Sequence, residues 1–486
     1  MLFNSKVFIL LFLPIILIGY YTLNRVKKER TGMVWLIAAS LVFYGYYKPI
    51  YLLIIISSII VNYVVSACLD KSEESQRRTL IFILGLAFDL GLLFLFKYYD
   101  FFIANINSLF HSKLGSLGLI MPLGISFFTF QQISFVIDSY RREMKPYSFI
   151  DYAAYVLFFP QLIAGPIVLH TELIPQFMNR GQKNFSQEWF AKGLYAFSLG
   201  LAKKVLLADT LGLIVDTGFA DVVSLDTTNA VIVMLSYTLQ IYFDFSGYCD
   251  MARGIGYMFH VELPINFNSP YKAASVQEFW KRWHITLTRF LTKYCYIPLG
   301  GNRKGKLREY RNVLIVFAIS GFWHGANWTF IVWGLMHGCV IVFERILKKY
   351  LCGIPRIIRH ILTFCFVSIS WLYFRAENLH QANLIVRKIF SFEIGPVQEE
   401  IRGIILNLEE VIPLQFLVNV DLNKVSVFIL GFLLIGSLGA CLFMKNTQEK
   451  MLQFKPTVSK SLITIFLLWY GIVSMTGASI FLYFNF

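Results

Sequence analysis

Apolar residues run along this chain in stretches of membrane-crossing length, separated by short polar and basic turns. A helix needs about 20 apolar residues to cross a ~30 Å hydrocarbon core. On that criterion the pattern predicts spans near 6–24, 32–47, 49–68, 79–97, 118–137, 149–169, 228–247, 326–346, 357–375, 426–444 and 461–483. No segment alternates with the period of two that a membrane barrel requires. The expected fold is all-α: a polytopic helical membrane protein with about 11 transmembrane helices plus re-entrant or interfacial helices. The whole of 1–486 reads as a single transmembrane domain, with no internal repeat.

The polar positions orient the spans. Arg25, Lys27, Lys28 and Arg30 follow the first apolar run, the reverse of a cleavable signal peptide. The first helix is therefore expected to stay, with its N-terminus outside and its basic flank in the cytoplasm. Arg77 and Arg78 mark one cytoplasmic turn; Arg141, Arg142 and Lys145 mark the next. Segment 190–208 is broken up by Lys192, Gly193, Gly200, Lys203 and Lys204, and reads as re-entrant or interfacial.

Residues 249–312 carry eleven Lys or Arg against four Asp or Glu, which predicts a cytoplasmic or re-entrant basic segment. Within it Val276, Phe279, Trp280, Trp283, Leu287, Phe290, Leu291 and Tyr294 share one face at helical period. Lys281, Arg282, Arg289 and Lys293 lie opposite, as in a helix resting in the membrane interface or packed on protein. His284 falls at the border of the apolar face, about 20° outside it. Segment 376–425 leans acidic, seven carboxylates against four Lys or Arg, and is the expected extracytoplasmic loop.

Composition agrees with this class. Hydrophobic residues make up 57% and charged residues 15%, against about 25% charged in soluble domains. The net charge of +15 sits in short loops between apolar runs, so topology explains it and nucleic acid is not an expected partner. The seven cysteines show no CxxC pairing, and neither a metal site nor a disulfide framework is visible.

One stretch carries chemistry: Gly321-Phe322-Trp323-His324-Gly325-Ala326-Asn327-Trp328 sets an imidazole inside a long apolar run. An ionisable group at membrane depth is expensive, and histidine is the side chain best suited to take a proton near neutral pH. Twelve residues separate Asn312 from His324, about 18 Å of helix, a little over half the hydrocarbon core. Gly321, Gly325 and Asn327 then interrupt the helix. Irregular backbone at that depth is tolerated only beside protein or a water-filled cavity, so a central tunnel reaching His324 is expected.

Other arrangements fail. Phe245-Ser246-Gly247 lacks the first glycine of a nucleophile elbow. Gly300–Leu307 imitates a phosphate loop through Lys306, but Leu307 replaces the required Ser or Thr. His337 is expected to pack; His111, His170, His260, His360 and His380 have no supporting context.

Trp323–Trp328 followed by Trp333-Gly334, with Glu278–Leu287 upstream, resembles the membrane-bound O-acyltransferase family, most closely its bacterial alginate and peptidoglycan O-acetyltransferase branch. Pro122–Phe127, Phe159–Pro166, Tyr242–Tyr248, Tyr296–Arg303 and the C-terminal Phe481–Phe484 add to the likeness over nearly the full length. Cys249 departs from it, standing where a small polar residue is expected.

The resemblance implies acyl transfer from a cytoplasmic thioester, acetyl-CoA, to a hydroxyl at the other face of a bacterial cytoplasmic (inner) membrane. It matches His324 to the family's catalytic histidine and His284 to its second polar position, which would orient or polarise the thioester. Trp283, Trp323, Asn327, Arg282 and Lys281 become candidates for the substrate and donor path. No permanently bound cofactor is implied. An exported polysaccharide would be acetylated directly or through a separate extracytoplasmic acetyltransferase- or esterase-like partner, and the second route is preferred because the chain has no soluble domain to grip a polymer. A D-alanyl or longer acyl donor, a proton-coupled transporter using His324 as a relay, and a non-catalytic scaffold are the rival readings.

Overall fold

The structure, a computed structural model, describes residues 1–25, 30–179, 184–408, 411, 421–475, 479 and 481–482. Lys27 and Lys28, part of 376–425, and Tyr483 and Phe484 of the C-terminal motif lie outside those residues. The described chain is helical, and its only β feature is an isolated antiparallel bridge between Phe267 and Trp283.

Seven described helices are long and apolar enough to cross a membrane: Phe8–Arg25, Tyr51–Lys71, Ser75–Phe110, Thr227–Met258, Trp328–Ile346, Arg356–Arg375 and Leu422–Phe443. Thr31–Gly45 and Val458–Val473 are shorter apolar helices. Two of the expected spans take other forms. Span 118–137 starts as a helix only at Ile125, after Gly124 in the left-handed region at φ 72°. A Cβ at Gly124 would lie 2.8 Å from the Leu162 carbonyl oxygen, so glycine permits both the turn and the approach. Span 149–169 is helix only over Phe149–Leu157; one turn, Phe159–Leu162, follows, then a turn that brings Gly165 N to the Gln161 carbonyl and non-helical backbone from Pro166. That backbone is buried, and Tyr155 Oη donates to the Val168 carbonyl at 3.0 Å, so protein supplies what lipid cannot.

Segment 190–208 does not turn back. Helix runs unbroken from Gln187 to Ala220 through a π-helical stretch at Lys203–Ala208, packed along Thr227–Met258. The glycines that seemed to interrupt it are its seam: a Cβ at Gly193 would lie 2.6 Å from the Gly254 carbonyl, and one at Gly200 2.5 Å from that of Gly247. Small residues let helices approach where lipid offers no hydrophobic drive for association. The lysines point inward, too: Lys204 pairs with Asp244 at 2.6 Å and Asp209 at 2.8 Å, and Lys203 with Asp250 at 2.6 Å.

The hairpin of Lys306–His324 and Trp328–Ile346 is built the same way. A Cβ at Gly321 would lie 2.3 Å from the Phe330 carbonyl, and one at Gly334 2.3 Å from that of Phe317. At the other end of Lys306–His324, Asn312 Nδ2 donates to the carbonyls of Leu299 and Gly301. Gly300 and Gly301 therefore serve a left-handed turn anchored on the helix, which accounts for the glycines of the imitated phosphate loop.

Candidate active site

His324 is the last residue of its helix and is 3% exposed. A helix end leaves four carbonyls without intrahelical donors, at high cost where water is excluded. Here a neighbouring helix supplies the donors. Lys97 Nζ donates to the carbonyls of Trp323 at 2.7 Å and His324 at 3.0 Å, and Tyr98 Oη to that of Phe322 at 3.1 Å. Both come from a π-helical turn, Phe94–Tyr98, inside Ser75–Phe110. A cation at a helix C-terminus also meets the negative end of the macrodipole. Lys97 is held in turn by Ser126 Oγ at 3.2 Å.

Aromatic rings enclose the imidazole. Trp323, Phe374 and Trp333 stand 4.9, 5.1 and 5.2 Å from it, centroid to centroid, and all three are buried. The His284 ring is 6.4 Å away. The structure thus joins the two histidines, forty residues apart in sequence, in one cluster of packed rings.

His284 arrives there by a route the periodicity hid. The expected single helix over 276–294 is two short helices, Val276–Trp280 and Ile285–Leu291, with His284 between them at φ 44°. All eight residues of the apolar face are buried as expected. The break exists because 266–268 pairs with 282–285: Asn268 N donates to Arg282 O and Ile285 N to Asn266 O. A lengthwise partner therefore overrides the local helical period, and His284 is fully buried rather than at a border. Its Nδ1 lies 3.1 Å from Asn266 Oδ1.

The remaining candidates separate. Trp323 belongs to this cluster, with its ring 6.1 Å from that of His284 and stacked on Phe130. Trp283 is buried against Phe279 and Trp371, bracing the break. Asn327 caps Trp328–Ile346 through Thr329 N and donates to the Glu377 carbonyl. Arg282 pairs with Glu278 at 2.9 Å. Lys281 lines a cavity of about 270 Å³ that also touches Trp280, Ser320 and Arg345. That cavity shares Gln277, Tyr296 and Arg345 with a cleft of about 950 Å³ carrying Lys306, Lys348 and Arg359. His337 packs, as expected: Trp280 Nε1 donates to its Nδ1 at 3.2 Å, and its Nε2 lies 2.9 Å from Ser370 Oγ. His170, which sequence gave no context, is buried with Nε2 3.1 Å from Asp138.

Two site residues escaped the sequence reading. Lys97 looked like the polar end of a span, although apolar helix continues beyond it, and a lysine flanked by apolar sequence on both sides was the available signal. Asn266 lies in an irregular segment and offered none.

The fold is thus a multi-pass helical body with a buried histidine pair at a helix break. The chain matches the sequence model of the MBOAT, membrane-bound O-acyltransferase family, over residues 40–372, and it belongs to that family. It is 44% identical over 417 residues to the peptidoglycan O-acetyltransferase of Helicobacter pylori, covering 80% of this chain and 79% of that one. It is 38% identical over 421 residues to the Pseudomonas aeruginosa protein named Probable alginate O-acetylase AlgI, covering 84% and 78%. The teichoic acid D-alanyltransferase of Bacillus subtilis is more distant, at 28% over 285 residues, 54% of this chain and 70% of that one. The chain is accordingly a membrane-embedded, multi-pass O-acyltransferase of the O-acetyltransferase kind.

Proposed function

We propose that this protein moves an acetyl group from cytoplasmic acetyl-CoA across a bacterial inner membrane for O-acetylation of an exported cell-surface polysaccharide. His324 is the general base. The observation that carries the reading is the enclosure of His324: a helix end held by Lys97, ringed by Trp323, Trp333 and Phe374, with His284 beside it.

Attack of a hydroxyl on a thioester forms a C–O bond and breaks the C–S bond. The hydroxyl proton goes to His324, and the thiolate leaves and is protonated. Such a base contributes roughly 10²- to 10⁴-fold, provided water is kept from the acyl donor. The aromatic ring wall meets the second requirement. On the donor side, the basic cleft suits the phosphates of CoA, and the apolar cavity beyond it suits the pantetheine arm. Trp280 lines that cavity, its ring 5.7 Å from Trp333, which in turn is 5.2 Å from His324. Lys281 and Arg345 line that cavity; His284, with its ring 6.4 Å from that of His324, orients or polarises the donor thioester.

Acetyl is favoured over D-alanyl by the greater identity to the acetyltransferase relatives. The acceptor end is completed by a separate extracytoplasmic protein whose serine takes the acetyl group to the polymer. Among its described residues, segment 376–425, the proposed extracytoplasmic loop, contains the short helices Leu379–Ile389 and Glu399–Leu406.

Proteoliposomes supplied with acetyl-CoA on one face test the reading by release of free CoA. Release that depends on His324 and rises when an acceptor fraction is added is the expected result. Proton-coupled uptake by these vesicles with no CoA release would replace the enzyme with a transporter.

A further inference from the structure

We propose that Asn266 is a positioning residue that fixes the tautomer of His284, so that Nε2 of that ring carries no hydrogen and acts as a hydrogen-bond acceptor. Asn266 Oδ1 receives the backbone N–H of Thr286 at 3.2 Å and the Thr286 hydroxyl at 2.9 Å, and lies 3.1 Å from His284 Nδ1. A backbone N–H can only donate, so the amide atom facing Thr286 is the oxygen and the orientation of Asn266 is determined.

The hydroxyl agrees with this. Ile167 N–H donates to Thr286 Oγ1 at 3.0 Å, which leaves the Thr286 proton for Oδ1. The other end of the amide agrees as well, since Nδ2 lies 3.5 Å from Cys249 Sγ, an acceptor. An oxygen facing Nδ1 requires Nδ1 to carry the hydrogen. In a neutral imidazole the other nitrogen is then bare, and His284 Nε2 is an acceptor.

This decides between the two roles left open for His284. Polarising a thioester carbonyl takes an N–H donor, which this tautomer does not offer at Nε2. Holding the N–H or O–H of a substrate takes an acceptor, which it does. His284 therefore orients the substrate, and the proton-transfer step remains with His324 in the neighbouring ring 6.4 Å away. All the geometry resides in Asn266, Thr286 and Ile167, contributed by three separated segments, each of these residues being buried.

The kinetic part of this inference rests on the acyl-transfer reading; the tautomer does not. The test is ¹⁵N NMR of protein labelled at histidine and held in lipid, with His284→Gln used to assign the ring. Wild type should show a protonated Nδ1 and a bare Nε2 for His284. Asn266→Leu should abolish that preference, while Asn266→Asp, which keeps an acceptor oxygen, should preserve it. Acetyl transfer should fall about 10- to 100-fold in Asn266→Leu, as for other residues that orient a functional histidine, and largely recover in Asn266→Asp. A protonated Nε2 in wild type, or an unchanged tautomer in Asn266→Leu, would overturn the proposal. A wild-type protein that transfers no acetyl would sink the enzyme reading and still leave the spectra to decide the tautomer.

Discussion

The two clustered histidines are held in opposite ways. His324 sits at the end of a regular helix, and its environment is built by close backbone packing, aromatic rings and a lysine from a neighbouring span. His284 sits in a left-handed residue between two short helices, and its environment is a hydrogen-bond network around one amide oxygen. The first arrangement depends on shape and the second on donors and acceptors. Substitutions of the supporting residues should therefore weigh more on folding in the first region and more on turnover in the second.

The sharpest break of that contrast is Gly334→Val. Its added Cβ would lie 2.3 Å from the Phe317 carbonyl, so the two helices of the hairpin that carries His324 must part. A cost of about 3 kcal/mol or more is expected, read as loss of folded protein in detergent. Unchanged yield and melting would show that the hairpin tolerates separation.

Lys97→Met comes next. It leaves the Trp323 and His324 carbonyls without their donor, at about 1–3 kcal/mol by thermal melting, with transfer impaired at saturating donor. Lys97→Arg, which keeps the cation, should recover part of both; equal behaviour of the two variants would remove the cap from the account.

Thr286→Val tests the other region. It takes one donor from Asn266 Oδ1 and the acceptor from Ile167 N–H, a loss of about 1–2 kcal/mol in stability. Transfer should fall less than in Asn266→Leu, because Asn266 still faces His284. The smallest effect is expected from Asn327→Ala, which loses a helix cap worth about 1 kcal/mol and leaves turnover unchanged. A large fall in turnover with no change in melting would return Asn327 to the substrate path.

How far the sequence could be read follows the same division. The His324 hairpin was legible because its cause is local: glycines and Asn327 interrupt an apolar run at a fixed distance from a basic end. The buried face of 276–294 was legible for the same reason. Its break was not, since the cause is pairing with 266–268, which leaves no periodic trace. Segment 190–208 shows the converse error. Its glycines and lysines read as interruptions, yet they form the seam and the internal ion pairs of a continuous helix. A polar or small residue in an apolar run marks a break only if no partner helix answers it, and the partner lies elsewhere in the chain.

The central claim is that His324 does the chemistry while the donor is held by other residues. Donor binding and acetyl transfer should be measured on the same purified preparations of wild type and His324→Ala, with acetyl-CoA as the probe. The account predicts donor affinity within a few-fold of wild type and transfer reduced by roughly 10²-fold or more. Near-normal turnover by His324→Ala would contradict it.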